Sequence, residues 1–324
     1  MNKFLNTEPS IFNNDQLLRL ENVLGFHNKS LSYVELQKSI HDYDGLLVGL
    51  NIHFDTNLLK HAHRLKFIAT PTTGLTHLDV EFLEHKKVEI ISLKGEQEFL
   101  KNITSTAEHA WLLLLSCARG INQQLQKTRS FNWDRYSHMG HQVKDKTLGI
   151  VGLGRIGRMV ANYGRAFGMS VSYYDPFVTI GDFKKEDDLN TLLAQSDFIL
   201  LAASYNAKNK SLISGNELSK VKNSACLINV ARGELIDTEA LLQILKERKI
   251  YKVALDVIED ESSASNDKFY NSKLLRHAQN NENLIITPHI GGVTLEAREA
   301  TNNYIISKIE RYLACQNRRE MGYN

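Results

Sequence analysis

Residues 148 to 175 set out a strand, a glycine turn, a helix, a second strand and an acid, an order that few folds accept. Residues 148–151 are a short apolar run, and Gly152-Leu153-Gly154-Arg155-Ile156-Gly157 follows it. An apolar-patterned helix is expected over 159–167 and a second strand over 170–174, with Asp175 standing 18 residues after Gly157. A lone GxGxxG is a weak signal, but one that closes a strand, opens a helix and precedes an acid is the dinucleotide fingerprint. Gly152 permits the tight turn, Gly154 lets a pyrophosphate approach the backbone, and Gly157 lets helix and strand pack closely. The phosphates then meet the free N–H groups and the dipole of the helix N-terminus. Asp175 would accept hydrogen bonds from the adenosine ribose, and its charge would repel a 2′-phosphate, so NAD is expected over NADP.

The surrounding chain alternates strand and helix. Apolar runs at 198–201, 225–228, 252–255 and 284–286 continue the series, each spaced to hold a crossover helix. A shorter series precedes it, with strands expected at 45–49, 66–70 and 88–92. The fold class expected is therefore α/β, with two doubly wound parallel-sheet domains. Between the series, Ser105 and Glu108 read as a capping box, and the apolar stretch 110–118 predicts a buried helix. Residues 294–313 read as a helix with one apolar face, and 261–282 as a solvent-exposed insert.

Composition narrows the function classes. With 324 residues the chain is long enough for two domains, and 42% hydrophobic against 23% charged residues excludes a disordered chain. Lys plus Arg number 39 and Asp plus Glu 37, a balance that argues against nucleic-acid partners. No apolar run approaches the ~20 residues of a membrane span. The opening residues lack the apolar core of a secretory signal, so a cytoplasmic location is expected. The three cysteines are odd in number and far apart, which suits reduced thiols. No Cys/His cluster has metal-ligand spacing, so no metal is expected.

Three strand ends carry reactive residues: Asn229-Val230-Ala231-Arg232-Gly233, the acidic stretch from Asp256 to Glu261, and Thr287-Pro288-His289-Ile290-Gly291-Gly292. Parallel strands deliver their carboxyl ends to one rim, so an Arg, an acid and a His are expected to meet there. An arginine fork holds a carboxylate, a histidine moves a hydroxyl proton, and an acid orients the histidine and favours its charged form. Taken singly, each is more often a surface ion pair or a turn residue. Their joint occurrence downstream of the fingerprint favours ketone–alcohol redox chemistry.

These segments, with residues 146–157, resemble the NAD-dependent D-isomer-specific 2-hydroxyacid dehydrogenases, the family of phosphoglycerate dehydrogenase and hydroxypyruvate reductase, over about residues 45–313. The resemblance implies a Rossmann cofactor domain at 101–292, inserted into a smaller flavodoxin-like substrate domain made of 1–100 and 293–324. It implies Arg232, Glu261 and His289 as the catalytic set, with Glu259 as the competitor for Glu261 if the loop register differs. It implies cofactor contacts from Gly152, Gly154, Arg155, Ile156, Gly157, Asp175, Val230, Ala231, Asp256, Thr106, Gly291 and Gly292, with Asp256 on the nicotinamide amide. It implies substrate contacts from Thr73, Gly74 and Asn51. The loop Leu50-Asn51-Ile52-His53 stands where phosphoglycerate-type members present an arginine, which weakens the case for a phosphorylated substrate. The partners implied are a small 2-oxo or 2-hydroxy acid and a second copy in a homodimer, for which the aromatic stretch Phe131-Asn132-Trp133 is suited. A departure is Ala202-Ala203-Ser204, where the family has His-Val-Pro. The activity expected is hydride transfer between NAD(H) and C2 of the acid. The rival is an NADH-sensing binding module of the corepressor type, which keeps the same Arg, Glu and His.

Overall fold

The computed structural model describes residues 2–137, 139–259, 261 and 271–320, without the side chains of 319 and 320. The chain divides into two compact units, Met1–Ile103 with Thr294–Asn324, and Thr104–Val293.

The first unit holds a five-stranded sheet in the order β2-β1-β3-β4-β5, from β1 (Phe4–Asn6), β2 (Phe26–Asn28), β3 (Gly45–Leu47), β4 (Phe67–Ala69) and β5 (Glu89–Ile91). Every pairing is parallel, and the order is the flavodoxin-like one. Period-two alternation sends Leu46 and Ile68 to one buried face and Leu47, Phe67 and Ala69 to the other. The second face is closed by the helix Leu295–Glu320, whose Ile305, Ile306 and Ile309 are fully buried among Phe4, Phe26 and Phe67. That contact brings the chain's last segment back to the unit that contains its first. β1 and β2 were not foreseen, because Phe4–Asn6 and Phe26–Asn28 lie in no continuous apolar run of the kind that marks β3 and β4.

The second unit holds seven parallel strands in the order β12-β11-β10-β9-β6-β7-β8. They are β6 (Thr147–Val151), β7 (Ser170–Tyr174), β8 (Lys184–Lys185), β9 (Phe198–Leu201), β10 (Cys226–Asn229), β11 (Lys252–Leu255) and β12 (Leu284–Ile286). The order reverses at β6, which pairs with β7 on one side and β9 on the other. This is the doubly wound dinucleotide-binding arrangement, with its switch point at the end of β6. Phe198 and Leu200 face one core while Ile199 and Leu201 face the other, as expected of strands covered on both sides.

Three local expectations are corrected. The helix Ser105–Arg119 is capped one residue earlier, at Thr104, whose hydroxyl bonds Glu108; Ser105 itself is buried inside the first turn. The helix is also one-sided, since Leu112 is 57% exposed. The expected insert at 261–282 is partly a helix, Lys273–Asn280, capped by Ser272 and anchored by buried Leu274. Residues 260 and 262–270 lie outside the described residues. No helix among the described residues is long and apolar enough to cross a membrane.

Candidate active site

The glycine turn sits at the carboxyl end of β6, and its three glycines are constrained differently. Gly152 has φ +92°, and a Cβ there would lie 2.5 Å from the Ala203 Cα. A Cβ on Gly157 would lie 2.2 Å from the Gly152 carbonyl oxygen. Gly154 has an ordinary φ of −73°, and a Cβ there would meet no protein atom within 4 Å. The protein's own packing therefore asks nothing of Gly154, and the space over it is left for a group approaching the backbone. The Gly154 N-cap gives the helix Arg155–Ala166 no side-chain cap, and the positive end of its dipole lies at this turn. Burial pulls the Arg155 guanidinium below its ordinary pKa. The Ile156 side chain packs against the core.

Asp175, at the end of β7, is buried and tied to this turn. Its Oδ2 accepts from the Leu153 N–H at 2.9 Å, and its Oδ1 accepts from the N–H groups of Phe177 (2.9 Å) and Val178 (3.1 Å). Three of the carboxylate's four acceptor sites are thus filled, and the one left, on Oδ2 beside the turn, could take a ribose hydroxyl. An uncapped helix end, an open Cα and a carboxylate fixed at the neighbouring strand end fit a dinucleotide.

The turn after β10 presents Arg232. Fully buried Asn229 clamps it, accepting from the Ala231 N–H at 2.9 Å and donating to the Arg232 carbonyl at 2.8 Å. A Cβ on Gly233 would come within 2.0 Å of the Ile258 carbonyl carbon and 2.2 Å of the Glu259 nitrogen. Only glycine lets this turn press against the chain leading to Glu261. Val230 is buried, and the half-exposed Arg232 donates from Nη1 to the Ala231 carbonyl at 2.6 Å.

Beyond β12, His289 adopts φ +53°, and its Nδ1 is hydrogen-bonded and ion-paired to Glu261 Oε1. Both side chains keep about a quarter of their surface, 27% and 26%. Glu259 instead holds Lys210 at 2.8 Å, so Glu261 is the carboxylate on the imidazole. The left-handed backbone costs roughly 1–2 kcal/mol. Against it, the His289 N–H is shared between the Asp256 and Thr287 carbonyls, and the next two N–H groups reach the Asp256 carboxylate, each of those charged bonds worth about 1.5–3 kcal/mol. The hydrogen bonds outweigh the strain.

Asp256, at the end of β11, is 2% exposed. Its Oδ1 accepts from the Thr287 hydroxyl (2.6 Å) and the Ile290 N–H (2.9 Å), and its Oδ2 from the Gly291 N–H (2.8 Å). Burial pushes its carboxyl up, but these bonds and His109 outweigh it and hold the group below its ordinary range. Thr106 stands over the same turn: a Cβ on Gly291 would lie 3.3 Å from its methyl, and one on Gly292 4.0 Å from its hydroxyl. Thr106, Asp256, Gly291 and Gly292 are therefore together.

Two residues here were not anticipated. His109 Nε2 lies 2.9 Å from the Thr287 hydroxyl and 3.2 Å from Asp256 Oδ1. Its one signal in the sequence was its position one helical turn after Thr106. Glu234 has its carboxyl raised by burial first; Glu261 and Glu259 push it further up and Arg232 pulls it down. It had no signal beyond being near Arg232 in the chain.

In the first unit, the expected substrate residues lie beyond the carboxyl ends of β3 and β4. The Asn51 N–H donates to Glu8 Oε1 at 2.8 Å, and Glu8 is 6% exposed. Burial raises the Glu8 carboxyl above its ordinary value, against backbone donors and the charge of Arg298. Thr73 is exposed, and the Thr72 hydroxyl donates to the Gly74 carbonyl at 2.8 Å, bending the loop that carries both. No group of His, Cys, Asp and Glu suited to a metal occurs among the described residues.

Residues 111–291 match the family model "D-isomer specific 2-hydroxyacid dehydrogenase, NAD binding domain". The chain is 35% identical to the glyoxylate reductase of Thermococcus gammatolerans, over 82% of this chain and 78% of that protein. It is 31% identical to the hydroxypyruvate reductase of Thermotoga maritima, over 92% and 94%. A D-3-phosphoglycerate dehydrogenase of Methanocaldococcus jannaschii is 33% identical over 87% of this chain, which spans 52% of that longer protein. Among solved structures, the D-lactate dehydrogenase of Aquifex aeolicus, complexed with NAD and lactic acid, superposes with a TM-score of 0.82 at 25% identity, covering 99% of this chain and 98% of that one. An inserted glycine turn with its acid, and a histidine–glutamate pair at the same strand edge as an arginine, agree with those matches: the chain belongs to the D-isomer specific 2-hydroxyacid dehydrogenase family.

Proposed function

We propose that this protein reduces a small 2-oxo acid to the D-2-hydroxy acid, reversibly, with NAD(H). The observation that carries the reading is the His289–Glu261 pair held at the same strand edge as Arg232 and the open glycine turn. A bound nicotinamide supplies the hydride for C2. The residues of the chain do the rest. His289, with Nδ1 tied to Glu261, has Nε2 to give its proton to the carbonyl oxygen. Glu261 holds the ring through Nδ1 and so fixes the orientation of Nε2. Arg232 holds the carboxylate and meets the negative charge that develops on the oxygen, which makes the largest electrostatic contribution. Thr73, Gly74 and Asn51 are assigned to the substrate and Val230, Ala231, Arg155 and Ile156 to the dinucleotide through the family resemblance. Asn51, lacking a cation, supports an unphosphorylated substrate.

Asp175 supports NAD over NADP, because a 2′-phosphate beside that carboxylate costs several kcal/mol. Free cysteines, two of them buried, support a reducing cytoplasm. The exposure of Phe131 (98%) and Trp133 (77%) supports a homodimer through this stretch. Sedimentation velocity is expected to give a dimer, and a Trp133→Ala, Phe131→Ala variant to shift it toward monomer.

The test is a panel of glyoxylate, hydroxypyruvate, pyruvate and branched 2-oxo acids with NADH and NADPH, followed by loss of nicotinamide absorbance. Turnover of at least one acid, faster with NADH, is expected. Tight NADH binding with no turnover of any of them would replace the enzyme reading with a sensor.

A further inference from the structure

The histidine–glutamate pair has a second histidine behind it. His109 lies on the helix Ser105–Arg119 and keeps 10% of its side-chain surface. Its Nε2 approaches the Thr287 hydroxyl at 2.9 Å and Asp256 Oδ1 at 3.2 Å. The proton inventory fixes what it does. Asp256 is held in its ionised form by its hydrogen bonds and can only accept. Thr287 has a single hydroxyl proton and gives it to Asp256 at 2.6 Å. Nothing is left on that hydroxyl for Nε2 to accept, so Nε2 must carry the hydrogen and donate to the Thr287 oxygen and Asp256 together.

The Asp256 carboxylate is also where the next turn converges. Ile290 and Gly291 donate to its two oxygens, and the His289 N–H donates to its main-chain carbonyl at 2.8 Å. A left-handed residue is one way to turn successive N–H groups toward one anion, and His289, at φ +53°, directly precedes the two that reach this carboxylate. The direction of the His289 side chain is therefore set by how firmly Asp256 and Thr287 are held.

We infer that His109 is a positioning residue for His289: by donating from Nε2 into the Thr287–Asp256 pair it locks the turn that aims the His289 imidazole at its working position. This rests on the reading of His289 as the proton donor. The catalytic expectation follows from geometry, since a misplacement of about 1 Å costs about a hundred-fold in rate.

The test combines nitrogen-15 histidine spectra with kinetics in the full chain. The His289 signals are identified by their loss in His289→Ala, and those of His109 by their loss in His109→Gln. In the wild type, His109 is expected with hydrogen on Nε2; an Nδ1–H tautomer with bare Nε2 would overturn the inference without any variant having to fold. In His109→Leu, the His289 signals should shift or broaden. In His109→Gln, whose amide nitrogen replaces Nε2 as donor, they should return. On the best substrate of the panel, His109→Leu should lose about a hundred-fold in kcat with KM for the oxo acid nearly unchanged, and His109→Gln should recover most of it. Unchanged His289 signals in His109→Leu would overturn the inference whatever the activity. An inactive His289→Ala beside a fully active His109→Leu would overturn it while leaving the proposed function standing. Full activity in His289→Ala would instead remove the reading on which it rests.

Discussion

His289 combines a left-handed backbone with a carboxylate on its imidazole, and a side chain that only filled space would need neither. Backbone strain of this kind persists where the surroundings over-determine it, and here three N–H groups and the Asp256 residue do so. His289→Ala is expected to lower kcat by roughly 10²–10⁴ while NADH still binds, measured by fluorescence titration alongside turnover; retained turnover would take the residue out of the chemistry. Arg232, Glu261, His289 and the glycine turn were legible in the sequence because each sits at or just beyond the end of an apolar run, and parallel strands leave only one edge for such ends. Between Glu259 and Glu261 the sequence left a choice of register, and Lys210, which takes Glu259, decides it. His109 was not legible, since its partner Thr287 lies 178 positions away and no local pattern links them. The same holds for Glu8, whose bond to Asn51 spans 43 positions.

Among the elements, the glycine turn shows how one motif divides its constraints. Gly157 is required by the protein's own packing and Gly154 is not. Gly154→Ala should therefore fold with an unchanged melting temperature yet bind NADH at least about ten-fold more weakly, as the methyl enters the space proposed for phosphate. Gly157→Ala should lower the melting temperature by several degrees even without cofactor, because its methyl meets the Gly152 carbonyl. Calorimetry and NADH titration on both variants separate the two effects, and equal destabilisation by both would contradict the division. Strands lying in apolar runs were readable before the structure, even β3, β4, β5 and β12 of three residues; β1, β2 and β8, which lie in no such run, were not. The polar run before β12 read as an insert because Ser, Asn and Lys dominate it, although its helix, Lys273–Asn280, turns Leu274 and His277 inward. The cap at Thr104 was misplaced by one residue because Thr104 and Ser105 are both good capping residues and only the backbone chooses.

For the whole molecule, two buried carboxylates pull stability in opposite directions with pH. Asp256 sits below its ordinary value of 3.8, so the stability it lends is present at neutral pH and is lost as the pH falls through its lower folded value. Glu8 is raised above 4.5 by burial, so its ionised form costs stability at neutral pH and the cost is relieved as the pH falls through the raised value. Glu8→Gln should thus be more stable than the wild type at neutral pH, with the advantage vanishing toward pH 4.5, as followed by thermal unfolding across that range. A variant less stable at every pH would assign Glu8 a net stabilising role through Asn51 and Arg298. The two parallel sheets, of flavodoxin-like and dinucleotide-binding order, were legible as a fold class because alternation of strand and helix leaves little else. The return of the last helix to the first unit was expected from the family resemblance, and the contact of Ile305 and Ile309 with the Phe4 cluster gives the physical reason for it.

The central claim is that arginine and histidine from separate strand ends act on a single carbonyl group. A double-mutant cycle measures this directly: kcat/KM for Arg232→Lys, for His289→Asn and for the pair, on one 2-oxo acid with NADH. Groups sharing one transition state are non-additive, so the paired variant should lose far less than the product of the two single losses. A paired loss equal to that product would mean the two residues act independently, and the account would be wrong.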